Sequence, residues 1–243
     1  MVSDLPEVKF WITLNEPNVY TSNGFLFGIW PPQKKNIINY FQANDNLARA
    51  HIASFKIIKK IKPDSGIGIA QSTSYFDTFT RWPLEYFWNY YFLDKISDHQ
   101  DFVGANYYSR FWGGVLSKFY KIDQKQSDMG WGIYPKGIYY VLKRMSRKYK
   151  KPIFITENGI ADARDALRTE FIKDHLFQVS KAIKDGADVR GYFHWSLLDN
   201  FEWAYGFWPE FGIIEVARET LERKMRVSGK VYGEIARTHS ITP

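Results

Sequence analysis

Cysteine is absent from all 243 residues of the sequence. That excludes disulfides and thiolate-ligated metals, and it suits a reducing cytoplasm without fixing the compartment. Long apolar runs are missing too: no stretch approaches the length of a membrane span, so no membrane partner is expected. The opening residues, M-V-S-D-L-P-E-V-K-F, carry acidic groups and a proline where a secretory signal needs a basic and then an apolar segment. The expected address is therefore cytoplasmic. The five histidines (51, 99, 175, 194 and 239) show no ligand spacing, and no Gly-rich phosphate loop opens a helix. Neither a metal nor a nucleotide cofactor is expected.

What the chain has in excess is aromatic side chains, 18% of residues with nine tryptophans. Most can simply fill a core, but Trp and Tyr at strand tips also suit a flat, hydroxyl-fringed ligand such as a sugar ring. The net charge of +7 is densest in K-R-M-S-R-K-Y-K-K (143–151). This run ends a predicted helix, where cations complement the dipole, and no nucleic-acid motif accompanies it. It reads as a solvated face, and no nucleic-acid partner is expected.

Three short apolar runs end in polar groups: K-F-W-I-T-L-N-E-P (9–17), P-I-F-I-T-E-N-G (152–159) and V-R-G-Y-F-H-W-S-L-L-D-N (189–200). Each reads as a parallel strand buried on both faces, with chemistry emerging at its carboxyl end. Between them the pattern predicts a Gly- and Pro-rich loop over 19–32, a helix over 38–62, a strand over 66–70 and an aromatic helix over 83–98. A strand over 101–108 follows, then a long loop with Gly113-Gly114 and Gly130. Helices are predicted over 135–148, 165–184 and 219–237, with a loop over 197–211 and an extended piece over 212–216. Strand and helix alternate five times without a linker, as in a parallel sheet of βα units.

Glu16 and Glu157 stand at the ends of two such strands. A carboxylate at an apolar strand end is costly without a partner, so two separate salt bridges or caps are one reading. The other is glycoside hydrolysis, in which one carboxyl group donates a proton and the other attacks the anomeric carbon.

The strings W-I-T-L-N-E-P (11–17), D-F-V-G-A-N-Y-Y (101–108), I-T-E-N-G (155–159) and W-S-L-L-D-N-F-E-W (195–203), in this order, resemble glycoside hydrolase family 1, the β-glucosidase and β-galactosidase family. The resemblance implies a (β/α)8 barrel and a retaining β-glycosidase working without cofactor on a small β-glycoside or oligosaccharide. It implies Glu16 as acid/base, Glu157 as nucleophile, Asn15 as the 2-hydroxyl ligand and Tyr108 as the phenol that bonds the nucleophile. Asn106 becomes a polar neighbour and Trp195 the floor of the sugar site. Glu202 and Trp203 become the grip on the 4- and 6-hydroxyls, and Phe211 joins the substrate-binding set. Keeping Glu202 implies an unphosphorylated sugar, because a carboxylate repels a phosphate. Keeping Glu16 implies O-glycosides.

The chain departs from that family in three places. N-E-P normally closes the fourth barrel strand, yet here it comes first, so the expected fold is an incomplete barrel of about five βα units filling one domain, 1–243. Gln33 replaces a usual glycine, and Glu210 stands where a basic residue is common. An open barrel exposes two strand edges. The expected explanations are a C-terminal part of a longer enzyme, self-association or a complementing chain at those edges, or a remnant sugar-binding module with little activity.

Overall fold

The structure is a computed structural model that describes residues 1–77, 81–111 and 125–241. Five parallel strands form one sheet in sequence order: β1 (Phe10–Asn15), β2 (Gly66–Phe76), β3 (Val103–Phe111), β4 (Ile153–Asn158) and β5 (Val189–His194). Helices α1 (Pro17–Thr21), α2 (Ile37–Ile61), α3 (Arg81–Glu85), α4 (Tyr91–Lys95), α5 (Pro135–Tyr149), α6 (Arg168–Lys184) and α7 (Val227–Thr238) lie in the connections and after the last strand. A hairpin of β6 (Ile214–Val216) and β7 (Arg223–Met225) precedes α7. This is an incomplete (β/α) barrel. Among the described residues no helix is long and apolar enough to cross a membrane.

The core lies between the sheet and its helices. Ile69, Val103, Ala105, Ile153 and Ile155 from the strands meet Leu93, Ile138, Leu142, Met145 and Val179, all buried. Alternate strand residues point to the other, concave face, where Phe10, Phe102 and Phe154 cluster with ring centroids 5.1–6.0 Å apart. Glycine lets strand and aromatic meet there: a Cβ on Gly68 would stand 2.6 Å from the Phe102 carbonyl oxygen.

Burial on both faces, expected of the terminal strands, does not hold. Phe10 is 57% exposed, Ile12 48% and Phe193 57%. β1 and β5 are the sheet's edges, and these side chains on them are left exposed. Apolar sequence at these positions is a barrel-interior pattern without the barrel's far wall.

Other differences are local. The loop expected over 19–32 instead begins in α1 and a π-helical turn, Ser22–Leu26. Buried Asn18 fixes it by donating to the carbonyls of Ser72 and Trp88, 3.0 and 3.1 Å away. Gln33 takes φ 57°, a conformation glycine holds without strain. The strand expected over 66–70 runs on to Phe76. The helix expected over 83–98 is broken by a π-helical turn at Tyr86–Tyr90, where Asn89 bonds both the amide and the carbonyl of Ser74. The helix expected from 219 starts at Val227, because a turn at Leu221 (φ 59°) folds 223–225 back on β6. Gly113 and Gly114 lie outside the described residues. The basic run is partly engaged rather than wholly solvated: Arg144 pairs with Glu85 at 2.6 Å, Lys148 with Asp94 at 3.1 Å, and Lys151 donates to the Ser97 and Gln100 carbonyls.

On α6 and at the end of β5, burial holds His175 down at about 4 and His194 at about 3, against the ordinary 6.5. Both ring nitrogens of His194 are buried without a hydrogen-bond partner among the described residues. The unfolded chain therefore takes up protons below pH 6.5 that the folded chain refuses. Each such histidine costs about 1.4 kcal/mol per pH unit until its folded value is reached. His194→Phe should gain stability over wild type progressively as pH falls from 6.5 to 4. Urea unfolding across that range checks it; parallel profiles would refute it.

Candidate active site

Each candidate side chain stands where a strand gives out. All four strand pairings carry a register irregularity toward the carboxyl ends, and such bulges re-aim side chains. After β1, Glu16 adopts φ 48° as the chain turns into α1. A non-glycine residue there stores about 1 kcal/mol or more of strain, held by its surroundings. The Glu16 amide donates to the Ala70 carbonyl at 2.7 Å, and its own carbonyl accepts from Val19 and Tyr20. β3 delivers Asn106 and Tyr108, β4 delivers Glu157, and the segment after β5 carries Trp195, Glu202, Trp203 and Phe211.

One amide stands between the two carboxylates: Asn106 is the register partner of Glu157, and its side chain reaches Glu16. Asn106 is fully buried, and its Nδ2 donates to Glu16 Oε1 at 3.0 Å and to Asn15 Oδ1 at 3.2 Å. Tyr108 donates to Glu157 Oε2 at 2.6 Å. Burial pushes the Glu16 carboxyl up, against hydrogen bonds from Asn106 and Ser72, and the Glu202 charge adds to the rise. Burial first, and then the Glu16 charge, push Glu157 up to about 7, with the Tyr108 phenol opposing. Burial and these carboxylates push Tyr108 well up, so it remains a donor. Neighbouring buried carboxylates resist double ionisation, so each raises the other's hold on its proton.

Around the pair is a cavity of about 320 Å³. Asn15, Glu16, Tyr108, Glu157, Trp195, Glu202, Trp203 and Phe211 all line it, so the residues singled out in the sequence are brought together, with Asn106 buried behind them. Trp203 is 65% exposed, its ring centroid 5.9 Å from that of Trp30. Sequence reasoning missed Asn23, Trp30, Ser72, Ser74, Trp88 and Trp131, which complete the wall. Ser72 and Ser74 had a legible signal, since β2 alternates and its carboxyl end had to reach the same rim. Trp30 and Trp131 come from loops with no periodicity to read. Among the described residues no group of three or more His, Asp or Glu side chains is placed to hold a metal.

Glu210 also finds its explanation. Arg226, just before α7 and 5% exposed at its side chain, donates to Asp199 Oδ1 (2.9 Å), to the Gly212 carbonyl (2.6 Å) and to Glu210 Oε2 (2.5 Å). Asp199 in turn accepts from the amides of Gly212 and Val216. One guanidinium thus ties both ends of the segment carrying Glu202, Trp203 and Phe211. Phe211 packs on Tyr108 and Trp131 at 6.2 Å.

The fold and this pair of strand-end carboxylates define a cavity at the carboxyl ends of an incomplete barrel, and comparison with known proteins gives its family. The family model described as "Glycosyl hydrolase family 1" matches residues 1–85 and 88–241, and the chain belongs to that family. It is 35% identical to Beta-glucosidase A of Thermotoga maritima over 96% of its own length and 64% of the relative's. It is 32% identical to a Beta-galactosidase of Saccharolobus solfataricus, over 97% of itself and 56% of that protein. Among solved structures, a beta-glycosidase from Pyrococcus horikoshii superposes with a TM-score of 0.89 at 38% identity, covering 100% of this chain and 64% of the other. A Beta-glucosidase from Thermotoga maritima in complex with noeuromycin gives 0.89 at 32% identity, covering 99% and 67%. The chain therefore spans just under two thirds of the length of the curated relatives it matches first.

Two outcomes follow from these contacts. Arg226→Met strands buried Asp199 and should cost about 3–5 kcal/mol, whereas Glu210→Gln, whose partner end is 35% exposed, should cost at most about 1 kcal/mol. Denaturant unfolding of both variants checks the asymmetry. Because the raised Glu157 binds a proton more tightly folded than unfolded, its contribution is full below pH 4.5 and is lost as pH rises through 7. Glu157→Gln should therefore be more stable than wild type by up to about 3 kcal/mol at pH 8 and level with it near pH 4, as read by thermal unfolding.

Proposed function

We propose that this chain is the catalytic portion of a retaining β-glycosidase acting on O-linked β-glucosides or β-galactosides by double displacement. Glu16 protonates the leaving oxygen while Glu157 attacks the anomeric carbon. Glu16 then takes a proton from the water that releases the sugar. Asn15 holds the 2-hydroxyl, Tyr108 favours the ionised nucleophile, and Trp195 and Phe211 pack the sugar. Glu202 and Trp203 grip its far hydroxyls, and the Glu202 carboxylate excludes a phosphorylated sugar. The observation that carries the reading is that Glu16 and Glu157 line one tryptophan-walled cavity, with Asn106 bonded to Glu16 and paired with Glu157 in the β3–β4 register. The names of the family relatives, glucosidases and galactosidases, support the substrate class.

Residues 1–243 form one partial-barrel domain in this reading. Its uncovered concave face and open β1 and β5 edges call for three further βα units, supplied by the same polypeptide, a complementing chain or a second copy. The exposure of Trp203 favours a second reading, a partial barrel that holds sugar without turnover until that cover is added. A 2-fluoro-glucoside should label Glu157, read by peptide mass spectrometry, in the same size-exclusion fractions that hydrolyse an aryl β-glucoside. Labelling elsewhere overturns the mechanism. Sugar binding by a folded sample without label or turnover selects the second reading.

A further inference from the structure

Thr156 is the residue beside the nucleophile that none of the proposed roles uses. In the β3–β4 ladder Ala105 pairs with Ile155 and Asn106 with Glu157, so Thr156 is the extra residue of a bulge. Its Oγ1 lies 2.6 Å from Asn106 Oδ1. Its Cγ2 would stand 3.0 Å from a Cβ on Gly104, so the methyl fills the space that glycine leaves. A β-branched side chain seated this way has little χ1 freedom, and its hydroxyl is aimed at the amide.

A carboxamide has two unlike ends. With Oδ1 taken by the Thr156 hydroxyl, Nδ2 is turned to Glu16 and Asn15. Turned over, the amide would set its carbonyl oxygen against a carboxylate oxygen and against the Asn15 carbonyl, three acceptors with no donor. The Glu16 and Asn15 oxygens favour the same orientation, and besides Asn106 and Ser72 the groups facing Glu16 offer it no donor. Glu157 on β4, Tyr108 on β3 and Glu202 on the segment after β5 supply two carboxylates and one phenol already committed to Glu157.

We propose that Thr156 is a positioning residue for Glu16, its hydroxyl holding the Asn106 carboxamide in the place from which the NH2 edge serves the carboxylate and Asn15. The assignment rests on the reading of Glu16 as acid/base. Thr156 touches no substrate; it acts through Asn106. Without the hydroxyl the buried Asn106 Oδ1 loses its donor and the amide is held less firmly, so the carboxylate form of Glu16 is bonded less well and its proton is held more tightly.

Thr156→Val keeps the shape and removes the hydroxyl, and Thr156→Ser keeps the hydroxyl. In the valine variant kcat/KM for a phenyl or alkyl β-glucoside should fall about tenfold, the size of one lost hydrogen bond. The value for a dinitrophenyl glucoside, whose departure needs no proton, should change less than threefold. The basic limb of the pH profile should move up by about half a unit or more, and serine should restore each quantity to within about twofold. Equal losses for both leaving groups, or an unmoved basic limb, overturn the proposal. A readout that needs no turnover is 13C NMR titration of carboxyl-labelled glutamate, with Glu16 assigned through Glu16→Gln. The Glu16 midpoint should rise in Thr156→Val and return in Thr156→Ser, and an unchanged midpoint overturns the proposal. A wild-type chain without turnover but with this NMR response refutes the enzyme reading alone. A valine variant that fails to fold leaves the serine variant, whose midpoint must then match wild type.

Discussion

Two carboxyl groups buried beside one another repel if both ionise and are expensive even singly, and this burden shapes the rest of the site. Glu16 and Glu157 are pushed up by burial, and what opposes the rise is a set of neutral donors, Asn106, Ser72 and Tyr108, rather than a cation. A lysine or arginine at hydrogen-bond distance would hold both carboxylates ionised and leave no proton to give. Neutral donors lower the cost of a charge without fixing it, and on the proposed reading acid-assisted attack on an acetal carbon needs one carboxyl protonated and the other ionised.

Meeting that requirement forces the backbone out of its regular ladder. A regular pleat sends neighbouring residues to opposite faces, yet Asn15 and Glu16 both line one cavity. The bulges near the carboxyl ends and the positive φ of Glu16 perform this re-aiming. The strain is bearable because the strands upstream are ordinary: Ile67, Ile69, Val103, Ile153 and Ile155 are completely buried, and their packing fixes the register on which the irregular ends depend.

The sequence made the strand-end chemistry readable for the same reason. Short apolar runs stopping at Asn-Glu-Pro and Glu-Asn-Gly announce both burial and its interruption, and the cavity collects the side chains so announced. Order and type of the five βα units were legible from alternation alone. What periodicity hid were features made by tertiary partners. Asn18 and Asn89 organise π-helical turns by bonding carbonyls and amides far along the chain. Arg226 sits in a stretch that reads as helix until its partners, Asp199 and Glu210, are seen to draw it inward. The exposure of Phe10 and Ile12 was misread because apolar residues report that a face is meant to be covered, not that cover is present.

That last distinction separates two properties usually met together in a barrel. On the proposed reading, the groups that make and break bonds are held entirely by contacts within the five-strand half. Glu16 is held by Asn106, Asn106 by Thr156, Glu157 by Tyr108, Tyr108 by Phe211, and the Phe211 segment by Arg226. None of these contacts reaches the open edges of β1 and β5. The residues left bare, Phe10, Ile12, Phe193 and the ring of Trp203, contribute shape and dryness rather than proton transfer or attack. Dryness matters to rate, since every electrostatic contact in the cavity weakens as water enters. Closure of the concave face would then act on the chemistry through the dielectric around a pair already in place, rather than by assembling the pair.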